Sequence, residues 1–223
     1  MENYVVEALE SVRRQRADVE DYECIVVNDG SSDRSGELVD EYIASLEGNP
    51  HPHFTLINWA NRGVAQARNM AISVAKGEWI LPLDADDTLD PAAIFLLKRY
   101  ISIEPETTLF IPNRIMCSRN GKTQFQERVW GGYEDLKERC TPTNTSCFKK
   151  ADWERVGGYR DGTMYEDWEF WIRLLYKNDR VVSIPHPLYN YRIRADSRWH
   201  EAVKLHWKEV MLIRKMNPEI FSG

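Results

Sequence analysis

The chain has 223 residues, 43% hydrophobic and 29% charged, with a formal net charge of −6 at pH 7. That length suffices for one substantial core, and the composition is that of a globular protein rather than a disordered one. The acidic balance argues against nucleic acid as a partner, because phosphates call for a basic face. No apolar run approaches the ~20 residues that span a bilayer, and no signal peptide is recognised. Cys24, Cys117, Cys140 and Cys147 show no C-x-x-C pairing, so a reduced, cytoplasmic protein is expected, with Cys24 as a core thiol.

Tyr4–Gln15 reads as a helix with Val5, Leu9 and Val12 on one stripe. Tyr22–Val27 follows as a strand rich in β-branched residues and stops at Asn28-Asp29-Gly30-Ser31-Ser32-Asp33, a run of turn and cap residues. Ser35–Leu46 reads as a second helix, Phe54–Asn58 as a strand leading into Asn61-Arg62-Gly63, and Val64–Lys76 as a small-residue helix with Gly77 as its C-terminal cap. Trp79–Leu83 is dense enough in apolar residues for a buried parallel strand, with Pro82 awkward in any ladder because it lacks an N–H. This alternation predicts a parallel sheet with right-handed crossovers.

Asp90-Pro91 starts another helix, Leu109–Cys117 reads as a strand, and Asn120-Gly121 as a hairpin turn. Ser146–Lys149 is a short strand and Gly157-Gly158 closes a brief helix. The segment YEDWEFWIRLLYKN is a helix with Trp168, Trp171, Ile172 and Leu175 on one face. Val181–Ile184 and Leu188–Arg192 read as two late strands, and Trp199–Met216 as a terminal helix.

The chemistry concentrates at the turns that follow Val27, Asn58 and Leu83, which such a sheet would bring to one edge, where open α/β sheets bind ligands. Asp84, Asp86 and Asp87 crowd the third turn and repel one another unless a cation or a solvated loop relieves them. Hard divalent cations take oxygen ligands and share substrate phosphates, and helix N-termini favour phosphate, so a metal–diphosphate site is the expectation. Asp29 alone is as well read as a turn or cap residue. Arg68 and Asn69, one turn into their helix, are near enough to reach the acid cluster, although Arg68 also suits a surface ion pair. Glu166-Asp167 forms a second acidic focus in the first turn of its helix, where the macrodipole keeps carboxylates ionised. There is neither G-x-G-x-x-G nor a P-loop signature.

Taken in order, YECIVVNDGSSD, NRGVAQARNMAI, GEWILPLDADDTLDP, VGGY, YEDWEFWIRL and PLYNYR resemble the family 2 glycosyltransferases of GT-A fold, from about Asn3 to Ser197. The resemblance implies an α/β fold with a mostly parallel central sheet flanked by helices. It implies one domain over residues 1–198, with a nucleotide-binding half to residue 110, an acceptor half beyond it, and a C-terminal helix over 199–223. Asp29 resembles the residue that reads the base, usually uracil, and Arg68 an arginine near the nucleotide. Asp84 and Asp86 match a D-x-D pair, with Asp86 on Mn2+ or Mg2+ and Asp84 toward the ribose. Asp167 matches the general base, with Glu166 shaping the acceptor site. The implied reaction is inverting, metal-assisted transfer of a sugar from a nucleotide-diphosphate donor, UDP-linked, to a carbohydrate or lipid-linked acceptor hydroxyl, as in polysaccharide biosynthesis.

Two departures stand out. The usual apolar strand ahead of the first helix is absent and Asn3 is what remains of its closing turn, so an inactive or merely nucleotide-sugar-binding remnant is the alternative expectation. Where relatives carry a late histidine near the metal, this chain has Arg194, and His200 and His206 read as surface residues. In the acceptor half Trp130, Tyr133 and Trp153 are possible sugar-stacking faces, with core packing as the default. Trp199, Trp207, Met211 and Ile213 among Lys204, Lys208, Arg214 and Lys215 allow peripheral membrane contact, with packing against the domain again the default.

Overall fold

The computed structural model describes residues 1–48, 51–176, 178–195 and 197–221, and at 198–200 the backbone alone. Strands β1 (Glu23–Asp29) and β2 (His53–Trp59) pair in parallel from Glu23–His53 to Asp29–Trp59. The helix α2 (Ser35–Ala44) connects them, as parallel pairing requires. Ahead of β1 lies α1 (Val5–Arg13), whose Val5, Ala8, Leu9 and Val12 are buried as its spacing predicts. After β2 comes α3 (Val64–Val74), shorter than expected. Gly77 does not cap it, because Ala75 is already extended and the Lys76 and Gly77 N–H groups donate to Glu23 Oε1 at 2.6 and 3.1 Å.

The parallel run then breaks. β3 is confined to Trp79–Ile80 and pairs antiparallel with β7 (Cys147–Lys149), while β1 pairs with β2 alone among the described residues. Pro82 therefore lies beyond the ladder, where its missing N–H costs nothing. The remaining strands are β4 (Thr88–Leu89), β5 (Leu109–Cys117), β6 (Thr123–Gln126) and β8 (Val181–Arg192). They build a second sheet in the order β3–β7–β5–β8–β4, with β6 as a hairpin partner of β5. The expected mostly parallel sheet thus holds for β1–β2 and β5–β8, whereas β3–β7, β4–β8, β5–β6 and β5–β7 run antiparallel. The two late strands are one, with the register slipping where Pro112 faces Ile184 and Asn113 faces Pro187. Pro185 and Pro187 cannot donate there, and Asn113 Nδ2 takes up the Pro185 carbonyl at 3.0 Å.

The other helices are α4 (Ala93–Ile103), α5 (Tyr133–Glu138), α6 (Lys150–Val156) and α7 (Glu166–Leu174). The tail, expected as one helix, divides into α8 (Arg198–Lys204), α9 (His206–Met216) and α10 (Pro218–Phe221). No described helix is long and apolar enough to cross a membrane.

β5 separates two apolar clusters, because successive side chains of a strand face opposite sides. Phe110 packs with Val5, Leu9, Phe54 and Leu97. Leu109 and Ile111 pack with Phe148, Phe170, Trp171, Ile172 and Leu174, and with Val210 and Ile213 of α9. Each such side chain contributes about 1.5–3 kcal/mol by leaving water. An ion pair within α7 is buried as well: Arg173 donates to Glu169 at 2.6 and 2.7 Å and also to the Val156 and Gly158 carbonyls. On α9, Ile213 faces inward and Arg214 reaches Glu138, leaving Trp207 and Met211 exposed beside Lys204, Lys208 and Lys215. Trp199 and His200 lie outside the described side chains. Cys24, half-buried, carries a free thiol that burial pushes up to about 12.

Candidate active site

The ends of β1 and β2 meet as the alternation predicts: Asn28 Nδ2 donates to Asn58 Oδ1 at 2.9 Å. Asp29 closes the turn before α3, its Oδ1 accepting from Arg62 N at 2.8 Å and its Oδ2 from Gly63 N at 2.9 Å. Gly30, at φ +66, is required here, since a Cβ would stand 2.8 Å from Asn61 N. Asn3 sits in an exposed turn ahead of α1. Its neighbours fix that turn: Glu2 N donates to Asp33 at 3.1 Å, and the Tyr4 ring lies under the guanidinium groups of Arg192 and Arg194, at 4.8 and 5.7 Å.

The three acids after β3 meet three different environments. Asp84 accepts from Arg68 Nη2 at 2.9 Å and from Asn144 Nδ2 at 2.7 Å. Asp86 Oδ2 forms an ion pair with Arg194 Nε at 2.8 Å. Burial, with Asp84 close by, raises the Asp86 pKa against the pull of Arg194. Asp87 is turned inward at 1% exposure, accepts from Arg192 N through Oδ1 at 2.8 Å, and leaves Oδ2 without a hydrogen bond. Burial, reinforced by Asp84, pushes its pKa up to about 8.

Arg68 spans the site. Its Nη1 donates to Glu166 Oε1 at 2.9 Å while Nη2 holds Asp84, and its guanidinium lies over the Tyr159 ring at 5.5 Å. Burial works against its charge, yet Asp84 and Glu166 outweigh that and raise its pKa. The surface-pair reading of Arg68 is therefore corrected: its side chain is 12% exposed. Asn69 faces away from the acids and binds the VGGY segment, donating to the Tyr159 carbonyl and accepting from Tyr159 N and Trp153 Nε1 at 2.8–2.9 Å. Trp153, so engaged, packs against the core together with Trp130 and Tyr133.

At the start of α7, Glu166 is buried and Asp167 half-buried. Asp167 Oδ1 accepts from Trp168 N at 2.8 Å. Burial raises its pKa, while Arg68 and that N–H pull it back. His206, expected at the surface, is half-buried: its ring stacks on Trp168 and its Nδ1 lies 3.2 Å from Tyr165 Oη.

Oxygen donors of the kind a hard cation takes are thus present at Asp84 and Asp86, but no three His, Cys, Asp or Glu side chains converge on one point among the described residues. Guanidinium groups neutralise both carboxylates. The donor set fits Mn2+ or Mg2+ chemically, provided that the ion displaces Arg194. Sequence reasoning missed Asn144, Arg192 and the contact made by Arg194. Asn144 lies in an irregular loop with no periodic signal, whereas Arg192 stands inside the quoted PLYNYR segment.

An acid-lined turn between β3 and β4, bridged by a buried arginine to a second acidic helix start, forms the candidate site of this α/β chain. The sequence model of Glycosyl transferase family 2 matches residues 2–154, and the chain belongs to that family. It is 39% identical over 219 residues to EpsH of Bacillus subtilis (strain 168), provisionally named a glycosyltransferase, covering 88% of this chain and 59% of EpsH. It is 36% identical over 222 residues to the glycosyltransferase GlyG of Streptococcus pneumoniae serotype 4, covering 92% and 71%. The chain therefore spans about three fifths of the length of EpsH. In fold it is similar to S. aureus TarS in complex with UDP-GlcNAc, with a TM-score of 0.74 at 19% identity over 90% of this chain and 58% of that one. The mannosyltransferase PcManGT of Pyrobaculum calidifontis, in complex with GDP-Man and Mn2+, gives 0.73 at 17% over 96% and 60%.

Proposed function

We propose that this chain transfers a sugar from a nucleotide-diphosphate donor, UDP-linked, to an acceptor hydroxyl with inversion, using Asp167 as general base. The observation that supports it best is the Arg68 bridge, which puts the D-x-D turn and the start of α7 on a single guanidinium group. Asp86 and Asp84 would hold Mn2+ or Mg2+, and a divalent ion bound there would offset the charge growing on the leaving diphosphate. Asp29 keeps free lone pairs on both oxygens, enough to accept the N3–H of uracil. Asn3 and Arg68 complete the nucleotide side, and Glu166, beside the base, helps to shape the acceptor site. Burial raises the Asp167 pKa, which suits a group that must accept a proton, and Arg68 works against that rise.

Calorimetry with uridine diphosphate tests this reading. Binding is expected with Mn2+ or Mg2+ and not without, Asp86→Ala should abolish it, and Asp167→Asn should keep it while losing transfer. Equal loss of binding in both variants would remove Asp167 from the base role. A nucleotide-sugar-binding or inactive remnant of the fold is the competing reading, in keeping with the interruption of the sheet between β1 and β3; no nucleotide binding with or without metal would favour the inactive form. The exposed Trp207 and Met211 among lysines suit peripheral contact with a membrane carrying a lipid-linked acceptor. Vesicle co-sedimentation that ignores anionic lipid would count against that contact.

A further inference from the structure

The carboxylate assigned to the cation is already neutralised by this chain. Arg194 Nε stands 2.8 Å from Asp86 Oδ2, and both side chains are 15% exposed, so the pair is largely removed from water. Arg192, two residues earlier, is committed differently: its Nε donates to the Asp86 carbonyl at 2.8 Å and its Nη2 to Glu7 at 2.7 Å. Arg192 thus fastens the backbone of the acid turn, whereas Arg194 holds its charge. A divalent ion and a guanidinium cannot both take Asp86 Oδ2, because two like charges at contact distance in a partly buried site repel strongly.

We propose that Arg194 is an exchangeable counter-ion, holding Asp86 while the site is empty and moving onto the diphosphate when a divalent cation takes the carboxylate. This rests on the reading of Asp86 as the cation ligand. The charges balance in both states for the doubly negative diphosphate of a nucleotide sugar. In one, a carboxylate faces a guanidinium; in the other, carboxylate and diphosphate share a divalent ion and a guanidinium, whose planar fork suits phosphate oxygens. Metal alone would sit against Arg194, and diphosphate alone would leave Arg194 on Asp86. Each ligand therefore binds weakly by itself, and each must strengthen the other by the same factor.

Titration calorimetry of Mn2+ alone, uridine diphosphate alone, and each in the presence of the other tests the exchange, with wild type, Arg194→Ala and Arg194→Lys. The wild type should show strong mutual tightening. Arg194→Ala should bind Mn2+ alone about 10-fold more tightly, since the competitor is gone, while the mutual factor falls by about 10-fold. Arg194→Lys, which keeps charge but loses the fork, should lie between them, and it carries the test if the alanine variant does not fold. Full mutual tightening with unchanged Mn2+ affinity in the folded variants would overturn the exchange and leave the proposed function standing. Wild-type binding of the nucleotide that ignores Mn2+ would instead overturn the cation role of Asp86, and the exchange with it.

Discussion

Replacing Arg68 by methionine keeps most of the side-chain volume and removes the one charge shared by the two acidic foci. Glu166, at 10% side-chain exposure, is left without its guanidinium, whereas Asp84, at 37%, keeps Asn144 and solvent. Breaking a buried ion pair from one side costs about 3–5 kcal/mol, while an exposed partner adds at most about 1. Most of the loss should therefore come from Glu166. For a chain of this length that corresponds to a fall in Tm of roughly 6–20 °C. Urea unfolding followed by tryptophan fluorescence measures it, and the double variant Arg68→Met with Glu166→Gln supplies the control. Neutralising the Glu166 carboxylate should restore at least half of the lost stability. A loss below about 1 kcal/mol in the single variant, or no recovery in the double, would refute the claim that Arg68 is the buried keystone of the site.

Gly157 and Gly158 both have φ +75, but a Cβ on Gly157 meets open space, whereas one on Gly158 would stand 2.6 Å from Asn69 Oδ1 and 2.9 Å from Trp153 Nε1. Gly157→Ala should cost about 1 kcal/mol and Gly158→Ala about 2–4 by chemical denaturation; equal costs would contradict the packing argument. Glu10 accepts from Arg13 and Tyr42, and hydrogen bonding to Arg13, against the effect of burial, lowers its pKa to about 2. Since its folded pKa lies below the unfolded value, its stabilisation is complete above about pH 4.5 and is lost as pH falls toward about 2. With solvent screening, Glu10→Gln should cost about 1–2 kcal/mol at pH 7, and the gap should be roughly 40% smaller at pH 3.5. A gap that does not change with pH would exclude the carboxylate as its source. Trp171, fully buried against Phe148 and Phe170, should lose about 3–5 kcal/mol on truncation to alanine, read by the same unfolding curves.

Much of this architecture is legible before any tertiary structure. The period of Val5, Leu9 and Val12, the β-branched run ahead of Asn28, and the alternation through α3 announce a parallel β1–β2 unit with its turns at one edge, because these signals are local and repeat with helix or strand periodicity. The ordered motifs identify the family, and they point to the acid turn and the start of α7 as the candidate site.

What remained hidden depends on contacts distant in sequence. Nothing near Asp86 in the chain announces a partner 108 positions later, since ion pairs leave no period. The three acids after β3 look equivalent in the sequence, yet burial and neighbours make one a bridge to Arg68, one a partner of Arg194, and one an inward group with a pKa near 8. Strand direction beyond β2 was likewise decided by packing around β5, whose two faces are both buried and which accepts partners of either direction. The sequence by itself determined the family, the first parallel unit and the residues available for chemistry. Tertiary packing decided which of those residues meet, because electrostatic environment is a property of proximity and not of order along the chain.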